Sequence, residues 1–460
     1  VSAVPLRRAT LTERTLKTPP VRIVHLGLGA FARAHQAWYT SVADTDREWG
    51  IAAFTGRSRG IADLLAPQDG LYTLVERSAR SDRAEVISSV TEVHDGADLE
   101  RLVALLSAPE TAIVTLTITE GGYRLGADAT LNMQDPVVAG DIAALRTASA
   151  GHMPAVASAL ARIVVGLHAR AAAAGPLAIV PCDNLPNNGA LTRAAVLALA
   201  ANVSRDLPGW IEKNVSFVST SVDRITPRTR EVDLNVVAQL AGWQDAAPVV
   251  TEPFSDWVLC GTFPAGRPLW ERAGARFVDE IEPFERRKLW LLNGAHSLLA
   301  YLGRLRGYDT VADAISDPEC RKAVLMLWDD AAAHLPAELL ELDSYRSALV
   351  TRFENPRIEH RLAQIGEDGV TKLRVRIVPV LLAERAAGRQ ARAETMALAA
   401  WVSLHLLGAD LPDTEREALD HARASDDPVR ALLAVVDERL PADPAALSAV
   451  RDAVRAAQAT

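Results

Sequence analysis

The chain has 460 residues, of which 49% are hydrophobic and 23% charged, with a net charge of −9. At about 150 residues per domain this length gives two or three domains with ample core, and the acidic balance excludes nonspecific nucleic-acid binding while leaving room for a local basic pocket. No apolar run approaches the roughly 18 residues that span a bilayer, and the opening VSAVPLRRATLTERT lacks the apolar stretch of a signal peptide.

Residues 21–26 (VRIVHL) predict a buried strand, and a helix is expected from Phe31 onward. Between them Gly27-Leu28-Gly29-Ala30-Phe31-Ala32 is a G-x-G-x-x-A form of the dinucleotide fingerprint. Its glycines permit a tight turn and the close approach of a pyrophosphate to a helix N-terminus. Further strands are expected at 49–55, 71–76, 85–93 and 112–119, then at 177–181 and 215–221 with a helix at 191–201 between them. This alternation predicts an α/β domain with a largely parallel sheet. Beyond residue 282 long helical patterns take over, at 284–305, 318–333, 371–387 and 395–407, and an alanine-rich helical tail follows at 427–457. The change of character places a boundary near 280, with domains 1–280 and 281–460.

Residues 285–303, ERRKLWLLNGAHSLLAYLG, carry the first candidate cluster. On a regular helix at 100° per residue, Lys288, His296 and Asn293 fall at 0°, about 80° and about 140°, with about 12 Å of axis from the lysine to the histidine. Such a set lines a cleft as long as a small sugar; the bland alternative is a surface helix with incidental polar residues. Asn293-Gly294 disfavours a helix interior and needs a reason to be there. The second cluster is CDNLPNNG, where a buried strand ends in Cys182, Asp183 and Asn184, the place where open α/β sheets bind ligands. Asn187 and Asn188 read as turn residues. Asp223-Arg224, at the end of another strand, is either a site pair or a surface salt bridge. Glu120, in TITEGGY, is either a proton relay or a helix cap.

Absent patterns narrow the chemistry. The sequence has no H-E-x-x-H, no Cys/His spacing for zinc and no tyrosine followed four residues later by lysine. Its three distant cysteines, Cys182, Cys260 and Cys320, form no disulfide framework and fit a reducing cytoplasm. A nucleotide-binding sheet without metal or tyrosine needs another acid/base. Only five of the 49 basic residues are lysines (Lys17, Lys213, Lys288, Lys322 and Lys372). Because a guanidinium does not deprotonate in proteins, a retained lysine marks a place where an amine is needed, and Lys288 is the candidate.

GxGxFxRAHQA, TxTEGGY, CDNLPNNG, VDRITP, TEPFSDW and KLWLLNGAHSLLAYLG, in that order from residue 21 past residue 375, together resemble the mannitol dehydrogenase family of polyol-specific long-chain dehydrogenases. The resemblance implies a Rossmann-type N-terminal domain, a mostly α-helical C-terminal domain, and metal-independent NAD(P)-linked chemistry in the cleft between them, by a cytoplasmic chain that binds neither nucleic acid nor membrane and acts as a monomer. It makes Lys288 the general base, Asn184 and Asn293 donors to the developing alkoxide, and His296 and Asp223 holders of substrate hydroxyls. Glu120 takes the place of a proton gate, and Arg361 and Lys372 lie in the substrate-side region, where the usual DGSQK reads Asp368-Gly369-Val370-Thr371-Lys372. Gly27, Gly29, Ala30 and Phe31 are expected to hold the cofactor. No acidic residue for the ribose follows the second strand; Arg57 and Arg59 stand there instead, which leaves NAD and NADP both open. The expected reaction interconverts mannitol and fructose, with mannonate and fructuronate as the alternative and a catalytically silent nucleotide sensor as the reading from another class.

Overall fold

The computed structural model describes residues 4–11, 17–56, 58–126, 128–146 and 153–458. The chain divides into two compact units, Val1–Glu282 and Pro283–Thr460. In the first, six parallel strands form the main sheet: β1 Val21–Leu26, β2 Gly50–Phe54, β3 Val90–His94, β4 Ile113–Leu116, β5 Leu177–Pro181 and β6 Val215–Phe217. Their order is β3-β2-β1-β4-β5-β6. This is the doubly wound arrangement in which connections diverge between β1 and β4 and leave a crevice beyond the strands' carboxyl ends.

Side chains alternate across this sheet. Val24, Leu26, Val114, Leu116 and Ile179 face one layer, packed with residues of the helices Leu99–Ser107, Ala159–Ala173 and Asn188–Ala200. Ile23, Ile113, Ala178 and Val180 face a second core with Tyr39, Trp257 and Trp270. Burial on both faces is why these strands read as nearly unbroken apolar runs.

Two predicted strands are each two strands. The stretch 85–93 divides into Asp82–Ile87, paired antiparallel with Tyr72–Arg77 in a separate small sheet, and β3. The break falls at Ser88-Ser89, where Ser89 Oγ donates to the Ala37 carbonyl (2.7 Å) and ties the turn to a helix. Similarly, 215–221 leaves the parallel sheet after β6 and continues as β7, Ser219–Asp223, which pairs antiparallel with β8, Asp256–Cys260. Both breaks lie inside continuous β-forming sequence, so only the partners reveal them.

The second unit is helical. Gly294–Leu305 is buried almost all round, as expected of a helix at the centre of a bundle, and packs against Pro318–Ala332 and Arg392–Leu406. The predicted helix at 371–387 is interrupted: Gly369–Arg376 stops and Val378–Ala386 restarts, with Pro379 in the first turn of the second. Leu342–Phe353 is a further helix that weak amphipathic patterning concealed. Among the described residues no helix is long and apolar enough to cross a membrane.

Glu394 lies fully buried in the first turn of Arg392–Leu406. Burial, with the charges of Asp330 and Glu384 adding to it, pushes its carboxyl up to about 9. Because the folded value is raised, the stability this group contributes is complete below the ordinary carboxylate range and is lost as pH rises from there toward about 9. Glu394→Gln is therefore expected to raise the Tm at alkaline pH and leave it nearly unchanged in acid; thermal denaturation across pH checks this, and a pH-independent difference would refute it.

Candidate active site

The glycine turn is built by the ends of three strands. β1 and β4 run in register from Ile23↔Ile113 to Leu26↔Leu116, so Gly27 and Thr117 emerge side by side. Gly27 has φ +102°, and a Cβ there would stand 2.1 Å from the Thr117 carbonyl oxygen. The Gly27 and Leu28 amides both donate to the Phe54 carbonyl, at 3.0 and 2.9 Å, and the next helix, Ala30–Ala34, opens immediately. The turn therefore has the backbone-lined cradle that a dinucleotide pyrophosphate needs.

His25 braces this turn from beneath. It is buried, and burial pushes its imidazole down to about 4, so the ring is neutral. Thr117 Oγ1 donates to the Gly27 carbonyl (2.8 Å) and lies 3.2 Å from His25 Nε2, while Thr115 Oγ1 lies 2.8 Å from Nδ1. Since the Thr117 hydroxyl proton is committed, the network assigns the ring proton to Nε2 and makes Nδ1 the acceptor from Thr115. Of the other cofactor candidates, Phe31 stacks on His35 at 5.0 Å. Arg57 lies outside the described residues, and Arg59 is exposed and paired with Asp63 one helical turn on.

At the neighbouring strand ends Asn184 is exposed and Asp183 buried. Asn188, expected as a turn residue, is buried; its amide donates to the Asp183 and Thr220 carbonyls (3.1 and 3.0 Å), and its Oδ1 accepts from the Thr220 amide (2.9 Å). It thus ties the end of β5 to β7. Asn187 is an exposed left-handed turn residue. Asp223 closes β7, buried, opposite Asp256. The surface-salt-bridge alternative for its neighbour does not hold, because Arg224 is inside: it donates to the Ala34 carbonyl (2.7 Å), Glu76 Oε1 (2.7 Å) and the Glu252 carbonyl (3.2 Å), with its guanidinium over the Trp38 ring. Glu120 is exposed at the start of the turn Glu120–Tyr123.

In the helical unit the predicted helix 284–305 is not regular. Glu282–Arg287 is α-helical, Lys288–Asn293 is a π-helical turn, and Gly294–Leu305 resumes the α-helix. Lys288 and Asn293, both half-buried, are the first and last residues of that turn. A π turn closes i→i+5 bonds and so draws residues five apart toward one line, where a regular helix separates them by about 140°. The Gly294 amide bonds the Leu289 carbonyl, and buried Trp328 donates through Nε1 to the Leu291 carbonyl (2.8 Å), satisfying backbone within the widened turn. Gly294 packs closely: a Cβ would meet Leu327 at 3.3 Å. Before the turn, Arg287 is buried, donates to the Leu340 carbonyl (3.0 Å) and lies 4.1 Å from the Tyr345 ring centroid.

His296, three residues beyond the turn, is buried, with the rings of His360 at 4.7 Å and Phe353 at 4.9 Å. Burial first, then the neighbouring His360, Arg352 and Arg376, hold its imidazole well below the usual range. Burial also pushes His360 down to about 4. Arg361 is exposed beside Glu359, and Lys372 Nζ donates to the Ile365 carbonyl (3.1 Å). Among the described residues no group of His, Cys, Asp and Glu is arranged to hold a metal ion.

Residues 21–272 match the mannitol dehydrogenase Rossmann domain and residues 280–458 the mannitol dehydrogenase C-terminal domain. The chain belongs to the mannitol dehydrogenase family. As a member it is an oxidoreductase of the polyol and sugar-acid dehydrogenase class. D-mannonate oxidoreductase of Escherichia coli (strain K12) is 37% identical over 87% of this chain and 82% of its own. Mannitol 2-dehydrogenase of Pyrenophora tritici-repentis (strain Pt-1C-BFP) is 35% identical over 82% of this chain and 68% of its own. The solved ternary complex of Pseudomonas fluorescens mannitol 2-dehydrogenase with NAD and D-mannitol superposes with a TM-score of 0.81 at 34% identity, covering 100% of this chain and 95% of that one.

Several residues around this mannitol dehydrogenase family site had no role in the sequence reading. His25 is a short-range neighbour of the glycine motif, but its partners Thr115 and Thr117 lie on β4 and just beyond it. His360, in a loop, and Arg376, at the end of the helix Gly369–Arg376, reach the His296 environment from far along the chain, and nothing in the local sequence joins either to it. Trp328 is 40 residues from Lys288, and nothing local links them. Trp328→Phe keeps the bulk and removes the donor to Leu291. It is expected to lower the Tm by a few degrees and, by loosening the π turn, to lower kcat about fivefold. Calorimetry and steady-state kinetics on one preparation test this, and unchanged kcat would detach the turn from turnover.

Proposed function

We propose that the chain is an NAD(P)-linked secondary-alcohol dehydrogenase that interconverts a sugar acid or polyol with its keto partner, residues 1–280 binding the dinucleotide and 281–460 carrying proton transfer. The observation that carries this reading is the π turn, which places an amine, Lys288, and an amide, Asn293, at its two ends. Gly27, Gly29, Ala30 and Phe31 would hold the dinucleotide, whose nicotinamide ring accepts hydride when bound. Lys288 takes the substrate hydroxyl proton in oxidation and returns it in reduction; since the amine takes a proton only when neutral, oxidation gains with rising pH and reduction with falling pH. Asn293 and Asn184 donate hydrogen bonds to the developing alkoxide. His296, neutral at physiological pH, and Asp223 hold substrate hydroxyls, with Glu120, Arg361 and Lys372 as further proton-relay and substrate-side groups.

The positive surroundings of His296, to which Arg352 and Arg376 contribute, favour a substrate with a carboxylate, and the D-mannonate oxidoreductase relative supports the same choice. D-mannonate and D-fructuronate are therefore the leading pair. D-mannitol and D-fructose are the second reading, supported by the ternary complex that matches the whole chain. Absorbance at 340 nm with D-mannonate, D-altronate, D-mannitol, D-arabinitol and D-sorbitol, each with NAD and NADP, decides between them. The highest kcat/KM is expected for D-mannonate. Preference for D-mannitol overturns the acid reading, and no change with any substrate overturns the dehydrogenase reading.

A further inference from the structure

Asp183 is a buried carboxylate two residues beyond β5, and among the described residues three groups that donate to its side chain, two backbone amides and one hydroxyl, come from the segment that follows β4. Its Oδ2 accepts from the Ile118 amide (3.0 Å) and the Tyr123 hydroxyl (2.7 Å), and its Oδ1 from the Thr119 amide (2.7 Å). Burial raises its carboxyl above the ordinary range while these donors pull the other way.

The residue so held is strained. Thr119 has φ +66° and ψ 160°, a region that β-branched side chains rarely occupy. The turn closes behind it, the Gly122 amide donating to the Thr119 carbonyl (2.9 Å). The strained turn also abuts the glycine cradle, since Thr117 is the residue whose carbonyl fills the space a Gly27 Cβ would need and whose hydroxyl donates to the Gly27 carbonyl. On the other side Asp183 is the direct neighbour of Asn184, and its own carbonyl accepts from the Leu185 amide (2.9 Å) and Asn188 Nδ2 (3.1 Å). One side chain therefore joins the cradle, the Glu120 turn and the exposed Asn184.

We propose that Asp183 is a positioning residue: it holds Thr119 in a conformation that threonine does not adopt unaided, and so keeps segment 117–122 and Asn184 in the single arrangement that binds dinucleotide and turns it over. This rests on the dinucleotide reading above. Strain held by a clamp predicts a specific epistasis, because a residue free to adopt positive φ no longer needs the clamp.

The test uses the full chain with Asp183→Asn, Thr119→Gly and the double variant. Three measurements are made: hydrogen exchange at the Ile118 and Thr119 amides, NADH affinity by fluorescence, and kcat on the best substrate of the panel. Asp183→Asn, which keeps only one acceptor oxygen, is expected to speed exchange at one or both amides and to weaken NADH binding and kcat about tenfold each. Thr119→Gly alone stays near wild type, and in the double variant it recovers most of the lost NADH affinity. An Asp183→Asn protein with wild-type affinity and kcat overturns the proposal, as does a double variant that binds NADH no better than Asp183→Asn. If Asp183→Asn does not fold, Tyr123→Phe removes one donor and is expected to speed exchange and weaken NADH about threefold; no change in either overturns the clamp. A wild-type chain that binds no NADH sinks the dinucleotide reading, while exchange still decides whether Asp183 holds Thr119.

Discussion

Replacing Lys288 by alanine is expected to lower kcat by about 10²–10⁴-fold, the range that a positioned acid or base supplies, with NADH affinity unchanged. The expectation follows from what the site lacks as much as from what it has. The candidate groups that follow it on the same helix are Asn293, an amide that does not titrate, and His296, whose burial and positive surroundings keep it neutral and make it a poor proton acceptor. Lys288→Arg should fail almost as completely, because a guanidinium keeps the charge and gives up the ability to deprotonate. A small primary amine added to Lys288→Ala should restore part of the rate, with the gain rising with pH as the free amine becomes neutral. A Lys288→Ala enzyme within tenfold of wild type would remove lysine from the chemistry and leave the oxyanion donors to explain turnover.

The geometry of that lysine shows where sequence reading succeeds and where it stops. Lys288, Asn293 and His296 are recognisable as a set because a helix interior has no use for Asn-Gly. Their angular relation is not recognisable, because the π turn depends on Trp328 reaching Leu291 and on Gly294 packing against Leu327, contacts made by another helix. The sheet behaves likewise. β1 and β5 can be read to the residue, since Pro20 and Gly27 bound the first and Pro176 precedes the second, and burial on both faces makes β5 wholly and β1 mostly apolar. The divisions at Ser88-Ser89 and Val218 cannot, because the chain is equally β-forming on both sides and only the change of pairing partner ends the strand. Arg224 is the sharpest case. As text, Asp223-Arg224 allows a surface ion pair, whereas three acceptors from three separate segments hold it in the interior.

The two glycines of the cradle should both lose NADH affinity on replacement by alanine but differ in Tm, and the contrast separates folding from binding. At Gly27 a methyl group meets the Thr117 carbonyl oxygen at 2.1 Å, and the backbone at φ +102° is unfavourable for any side chain. Neither strand end can yield, because the Gly27 and Leu28 amides are pinned to Phe54 and Thr117 is braced by His25. Strain and overpacking of this kind cost about 2–5 kcal/mol in total, so Gly27→Ala is expected to lower the Tm by roughly 5–15 °C and to abolish measurable NADH binding. At Gly29 the backbone is extended (φ −125°, ψ −169°), and the nearest atom to an added Cβ is the Gly27 carbonyl oxygen at 3.7 Å, an ordinary contact. Gly29→Ala should therefore melt like wild type. Its glycine is explained only by something outside the chain that must come close to the backbone, and a pyrophosphate is such a group. NADH affinity in Gly29→Ala should fall about tenfold or more, a loss on the scale of one displaced contact, with no change in Tm. If Gly29→Ala binds NADH as wild type does, the dinucleotide does not lie against this turn, and the cradle would be a device of folding alone.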